Sequence, residues 1–518
     1  MPSSVRPAWG RYTPSMRTTY ALLGLLCGVV VSGLVIAKAG YFSGPAAAAP
    51  GKMSSVSQEA KDSLNKRYRD LVAKYQLAPE TDPDAWLALI EMFETFQAAE
   101  RPFRDASGNY VDVPDGPDFP AVYGDPRSPG DEAACALARK LVPVYDKAGV
   151  WSKLDIVASR MRCVRPAFDS PDDRRMKRAT LIEENEPWTG LLIDAPLQEA
   201  GKVRFLTRAL GADMYLAAEK QDWLRVVADY RRMLALSRIC THDGMLTMRR
   251  LGIAIGELAH DRAEAAIVVA GDEPPADLID GLRTALDEQL GNLPSLKLQM
   301  EVQRLLAEDT MGVAFDKSGL QDLDWFSRIS AKEGEPPRKL RFSAKDVPNA
   351  ASTKAKLADV YGSLEAWADT PWYANAAEEA ELKKQFVDVD EGKYVLLGVM
   401  KPYTSATRAA ELQSRAGITG LRAALDVFQF REQSGRLPIS LAELGDGKAS
   451  RYQDPYSGKP LTYKPSADRK RFELWAVGYD RIDDGCKLDP DEPKAGASED
   501  GIGYDLRVWP RAGNREIK

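Results

Sequence analysis

The chain has 518 residues, which gives room for two to four domains, each with its own hydrophobic core. Charged residues make up 28% of the chain and the net charge is −6, so its composition does not predict nucleic-acid binding. Five cysteines are too few for a fold built on disulfides. The 2 histidines, His242 and His260, are too scarce to favour histidine-based metal sites or catalysis.

The first predicted element is an uncharged, apolar run at residues 20–37. As a helix this run is about 27 Å long, which matches the hydrocarbon core of a bilayer. Arginines and no acidic residue precede it, and positive charge favours the cytoplasmic side. We therefore expect a cytoplasmic arm at 1–19, a single transmembrane helix at 20–37 in the bacterial cytoplasmic membrane, and a C-terminal body outside the cytoplasm.

A cleaved signal peptide is the alternative, with the alanines at 47–49 as the cleavage site. The apolar run is longer than a usual signal core, and Lys38 separates it from those alanines, so we favour the uncleaved anchor. Gly24, Gly28 and Ser32 share one helix face, where a second helix could approach closely. That face is a candidate surface for a homodimer, although small residues are common in such helices.

The residues after the anchor predict a linker at 38–53, followed by an α-helical exported domain at 54–400. Ser55 and Gln58 fit a capping box for its first helix. Helical spacing resumes at about residue 131 and continues to about 164, with a break at Gly149. Two proline-containing segments interrupt the helical pattern and are expected to be loops, at 101–130 and 165–196.

The strongest helical pattern covers residues 201–315. Residues that typically end or begin helices divide this pattern into five expected helices. These residues are Asp222, Gly244, Gly271 and Pro294. Residues 212–236 resemble one tetratricopeptide-type helical hairpin. Because no regular repeat surrounds that hairpin, we expect an irregular stack of helical hairpins rather than a regular solenoid.

The spacing of apolar residues changes in the tail at 401–518. A long helix is expected from about Thr404 to Gln433, with Gly435 as its left-handed cap. Alternating apolar residues then predict short strands, at 461–463, 472–477 and 504–509. The predicted fold class is therefore mainly α, with a transmembrane helix, a body of helical hairpins, and a small α+β tail that contains a short antiparallel sheet.

Turn motifs follow the long helix in a characteristic order. They consist of Gly435, Leu437, Pro438, Ser440, Leu441 and Leu444, then Asp454, Pro455, Gly458, Pro460, Leu461 and Tyr463, and finally Gly478, Asp480, Asp505 and Leu506. On these residues, the segment at 404–510 resembles the C-terminal half of the major pseudopilin of type II secretion. Since no pseudopilin-type leader precedes residue 20, the resemblance implies a module of that fold on a different kind of protein.

The resemblance also implies a calcium site, because that family binds Ca²⁺ in the equivalent loop. By motif position the ligands would be Asp480 and Asp505, together with backbone carbonyls. Asp483 and Asp484 are added because they are close in sequence. The loop carries eight carboxylates between residues 477 and 504, so it is either solvated or neutralised by a hard cation.

Cys135 and Cys163 form a candidate disulfide. Gly149 is their midpoint in sequence, so an antiparallel helix pair that turns at Gly149 would place both cysteines at the same height. They could then come within the distance that a disulfide spans. Two buried, reduced thiols are the alternative.

The sequence contains none of the common hydrolase, zinc, redox or phosphate-binding motifs. We therefore expect a protein that is not an enzyme but a membrane-anchored exported interaction or scaffold protein, linked to a secretion or cell-envelope system. The alternative is a membrane-tethered hydrolase. Its cleft would lie between the helical body and the irregular segments at 101–130 and 165–196.

Overall fold

The structure is a computed structural model, and it describes only part of the chain. The described residues are 57–103, 132–168, 170–180, 199–290, 293–316, 319–320, 348–390, 394, 397, 404–445, 451–486 and 505–510. The predicted arm, transmembrane helix and linker therefore lie outside them, as does the predicted dimer face at Gly24, Gly28 and Ser32. Among the helices within these ranges, none is both long and apolar enough to cross a membrane.

Thirteen helices and five short strands make up the described residues. The helices are α1 Gln58–Lys74, α2 Ala85–Glu100, α3 Glu132–Ala148, α4 Val150–Ser159, α5 Pro171–Ala179, α6 Glu199–Glu219, α7 Trp223–Thr241, α8 Leu246–Ala270, α9 Ala276–Leu290, α10 Lys297–Ala314, α11 Ala350–Asp369, α12 Ala376–Asp390 and α13 Thr404–Ser434. The strands are β1 Phe315–Asp316, β2 Gly319–Leu320, β3 Thr462–Pro465, β4 Phe472–Ala476 and β5 Leu506–Trp509. The coarse prediction of a mainly helical chain with a small antiparallel sheet is confirmed.

The five helices predicted between residues 201 and 315 are α6 to α10. Each of α6, α8 and α9 packs against α7, so α7 lies at the centre of the body. Close packing of α7 and α8 depends on Gly252, because a Cβ there would lie 2.6 Å from the Ser237 carbonyl oxygen. A glycine at this position lets two helix backbones approach more closely than any other residue would.

Three local predictions for the first part of the body are wrong. The cap of α1 is Ser57 rather than Ser55, and its side chain accepts a hydrogen bond from the Ala60 amide. Helix α4 ends at Ser159, so Cys163 lies beyond it in an extended segment. Helix α5 occupies part of the predicted loop at 165–196, where Ser170 caps it and Pro171 is its first residue.

The tail consists of α13 and the sheet, with Gly435 in the predicted left-handed conformation (φ 71°). The strands are ordered β3-β4-β5 and all pairs are antiparallel. Helix α13 packs on one side against α8 and α9 and on the other against β4 and β5. Gly420 permits the second contact, since a Cβ there would lie 2.4 Å from Cβ of Val508.

Apolar side chains from α1 to β5 belong to one continuous core, which therefore spans the body and the tail. A second cluster joins α10, α11 and α12. The predicted domain boundary at residue 400 marks a change in the sequence pattern. In the fold, the two sides of that boundary are packed together.

Candidate functional site

A polar groove of about 380 Å³ lies between α1 and the extended segment that follows α4. This volume falls within the range of small ligand sites. One wall is the exposed face of α1, where Asp62, Lys66, Arg69 and Asp70 recur at helical spacing. Arg162, Val164 and Ala167 of the extended segment also line the groove, as does Glu80.

Side chains from distant parts of the sequence hold the two walls in place. The Asn65 amide side chain accepts from the Phe168 amide at 2.7 Å and donates to the Phe168 carbonyl at 3.4 Å. Asp84 caps α2 through the Trp86 amide and accepts from the Val164 amide at 3.0 Å. The extended segment is therefore fixed to α1 and α2 by polar contacts that are buried or partly buried, and these contacts define the shape of the groove.

Some charges in the groove are paired and others are not. Lys66 pairs with Asp70 at 2.5 Å, and Arg162 lies 3.7 Å from Asp84. Arg69 and Glu80 make no hydrogen bond or ion pair with any residue in the described part of the chain. Two opposite charges are thus available to a partner in the groove.

Behind the groove, Arg165 is buried at the centre of a charged cluster. Its guanidinium is paired with Glu199 and donates to Asp243 at 3.1 Å, and it lies 4.8 Å from the ring of Trp86. The Tyr68 hydroxyl donates to the Asp243 carbonyl oxygen at 2.5 Å. These contacts tie the groove to α6 and to the end of α7. No local sequence pattern indicates these contacts, because the partners are far apart in the chain.

Both histidines are buried in helix packing. His242 follows α7, and its Nδ1 lies 2.8 Å from the Arg238 carbonyl oxygen. His260 Nδ1 lies 3.1 Å from the Tyr230 hydroxyl. Within the described residues the thiols of Cys163 and Cys240 form no disulfide. Both are buried, and burial raises the pKa of each.

Only part of the geometry that predicts the disulfide is present in the structure. Helices α3 and α4 do turn at Gly149, as expected. However, Cys163 lies four residues past the last residue of α4, so the argument from equal heights on two helices is wrong. The side chain of Cys135 is outside the described residues, and its pairing with Cys163 stays a prediction.

The proposed calcium ligands lie in the tail, where the structure describes one end of the acidic loop. Asp483 accepts hydrogen bonds from Trp475 Nε1 at 2.9 Å and Thr462 Oγ1 at 3.0 Å. Asp480 accepts from the Ile482 amide at 3.0 Å and so closes a turn. Residues 487–504 lie outside the described residues. Within the described ranges, no three histidine, cysteine or acidic side chains are grouped as a metal would require.

Asp505 is the most distinctive of these carboxylates. Its Oδ2 accepts from the amides of Asp484 at 3.1 Å and Cys486 at 2.7 Å, while its buried Oδ1 has no hydrogen-bond partner. Burial, together with the nearby charges of Asp483 and Asp484, raises the pKa of Asp505 to about 6, although the hydrogen bonds from the two amides lower it. The fold therefore brings Asp483, Asp484 and Asp505 near one another.

Asp454 is buried and holds the turn before β3. Its carboxylate accepts from the Tyr456 amide at 2.8 Å, from Ser457 Oγ at 2.9 Å and from the Val477 amide at 3.0 Å. The first two bonds lie within the turn, and the third joins the turn to the residue that follows β4. The aspartate at this motif position therefore has a structural role in this chain.

The predicted hydrolase cleft lies largely outside the described residues, which omit 104–131 and 181–198. Comparison of the chain with known protein families, with curated proteins and with solved structures found no match. The assignment of function therefore depends on the geometry above.

Proposed function

We propose that the protein is a membrane-anchored exported interaction or scaffold protein that binds a polar segment of a partner in the groove on α1. The observation that carries this proposal is the preformed groove with the unpaired charges of Arg69 and Glu80. The exported location rests on the apolar run at 20–37 and the arginines before it. A link to a secretion or cell-envelope system rests on the resemblance of the tail.

Reversing the charge of Arg69 tests the groove. We expect Arg69→Glu in the full-length protein to remove the specific neighbours found by proximity labelling in native membranes. Lys354→Glu is the matched control, because Lys354 is also exposed, helical and without a partner among the described residues. An unchanged set of neighbours in Arg69→Glu, at wild-type protein abundance, would contradict binding in this groove.

We also propose that the tail binds Ca²⁺ through Asp505, with Asp480, Asp483 and Asp484 as further candidate ligands. The unpartnered Oδ1 of Asp505 supports this proposal, since a buried carboxylate oxygen without a donor is stabilised by a cation. Oxygen donors from carboxylates and backbone carbonyls suit this ion.

Thermal unfolding of the full chain with added Ca²⁺ tests the site. Binding to the folded state should stabilise the wild type by about 2.7 kcal/mol at a hundredfold excess over Kd. Asp505→Asn should lose the shift, whereas Asp359→Asn, which changes an exposed aspartate on α11, should keep it. Equal shifts in all three proteins, or none in the wild type, would exclude calcium binding at Asp505.

A further inference from the structure

Four aspartates and two arginines form a cluster where α3, α4, α6 and α7 meet. Arg225 contacts both carboxylate oxygens of Asp213, at 2.6 Å for the shortest contact, and lies 3.2 Å from Asp146. Arg232 binds Asp155 through two contacts of 2.7 Å and Asp229 through one of 2.7 Å. Asp213 and Asp229 are buried, and Asp229 has no exposed surface.

The charges of this cluster do not balance. Four carboxylates face two guanidinium groups, so full ionisation would leave an excess of two negative charges near a buried site. Asp229 is the least compensated carboxylate, because its Oδ1 is bound by Arg232 while its buried Oδ2 has no hydrogen-bond partner. An ionised buried oxygen without a donor is costly, and protonation removes that cost.

Several charged or titratable groups on the other helices that pack against α7 contact residues outside the cluster. On α8, His260 bonds to the Tyr230 hydroxyl, and Arg262 lies beside Gly211 of α6. On α9, Glu288 pairs with Arg231 at 3.0 Å on the surface. The charges that act most strongly on the pKa of Asp229 are those of Asp213, Arg232 and Arg225, which all belong to the cluster.

We propose that Asp229 holds a proton in the folded protein near neutral pH, so that the α6–α7 hairpin is a pH-sensitive element of the helical body. Loss of the proton places a second negative charge beside Asp213, in the packed interior. The hairpin is then destabilised where it contacts α3 and α4. This role is independent of the groove.

The direction in which stability changes with pH follows from the raised pKa of Asp229. Burial raises the pKa of Asp229 well above that of an exposed aspartate, and the neighbouring Asp213 raises it further. Between the unfolded and folded pKa values the folded state binds more protons, so stability falls as pH rises through that interval. One linked proton changes the folding equilibrium constant by about tenfold per pH unit there.

Asp229→Asn provides the test, because the amide is a neutral replacement of the same shape. The full-length variant should be at least as stable as the wild type at pH 7. Its advantage should grow by about tenfold in equilibrium constant per pH unit until the wild-type proton is lost. Asp155→Asn is the control, since Asp155 is half-exposed and should show no growing advantage.

Infrared spectra give a second readout that does not depend on stability. The band of a protonated carboxyl group should be present in the wild type at pH 7 and reduced in Asp229→Asn. In Asp213→Asn its loss should move to lower pH, because a neighbouring negative charge is removed. An unchanged band in Asp229→Asn, or a variant that is less stable by the same factor at every pH, would overturn the proposal.

Discussion

Glu411→Gln is expected to lower the free energy of unfolding by about 3–5 kcal/mol, because it leaves a buried arginine without its counter-charge. Arg249 of α8 and Glu411 of α13 are both buried, and their side chains make three contacts of 2.7–3.0 Å. Arg249 also donates to Gln299 at 2.9 Å and to the Pro294 carbonyl oxygen at 2.8 Å. The pair is thus the polar centre of the contact between body and tail.

The ionisation of Glu411 depends on its partners. Burial alone would raise the pKa of Glu411, but Arg249 and Arg415 lower it to about 2. The glutamine can still accept one hydrogen bond, yet it cannot neutralise Arg249. Removing both charges together, as in Arg249→Met with Glu411→Leu, should therefore cost less than the single change.

Chemical denaturation of the full chain measures these effects. The control is Glu443→Gln, which weakens an exposed pair with Arg436 and should therefore change the free energy of unfolding far less than Glu411→Gln. A loss of less than about 1 kcal/mol for Glu411→Gln would mean that the pair does not stabilise the docking of the tail. A double variant less stable than both single variants would contradict the charge argument.

Helices and strands with a strong apolar periodicity and clear end signals are predictable from the sequence. Helices α6 to α10 begin and end near glycine, proline and aspartate positions, and the tail strands follow alternating apolar residues. In contrast, α5 has only nine residues, six of them charged, and buries only two apolar side chains, Met176 and Ala179. Its position is set by the Ser170 cap and by packing on α2, and only the cap is visible locally.

The candidate sites are less predictable, because they depend on contacts between distant segments. Asn65 and Phe168 are 103 residues apart, and no periodic pattern relates them. Asp213 and Asp229 look like ordinary surface residues of a helical hairpin until the fold buries them against α3 and α4. Asp505 was identified from a family motif, whereas its unpartnered oxygen is a property of the packed loop.

Stability of the folded chain is expected to fall by about 3 kcal/mol between pH 7 and pH 4 through His242 alone. The ring is buried behind α7, and Nδ1 lies against the Arg238 carbonyl oxygen at 2.8 Å, which fixes the proton on Nδ1. Nε2 is buried and has no hydrogen-bond partner. A second proton would therefore be placed on an unsolvated nitrogen.

Burial lowers the pKa of His242 from 6.5 to about 4, and the positive charges of Arg238 and Arg249 contribute. Between these two values the unfolded chain binds a proton that the folded chain does not, so stability decreases as pH falls. The contribution is complete above about pH 6.5 and is lost progressively down to about pH 4. The contribution of Glu411 is lost between its ordinary pKa of 4.5 and its folded pKa of about 2, so it begins only at the acid end of this interval.

His242→Gln isolates the effect, because glutamine can still donate to the Arg238 carbonyl oxygen but does not titrate. Urea unfolding of both full-length proteins at several pH values gives the difference in their free energies of unfolding. The titration of carboxylates that are present in both proteins cancels in this difference. The wild type should lose about 3 kcal/mol more than the variant between pH 7 and pH 4. Parallel curves over that range would mean that the folded protein accepts the proton on His242 without cost, and that the ring is not held in the buried, neutral form.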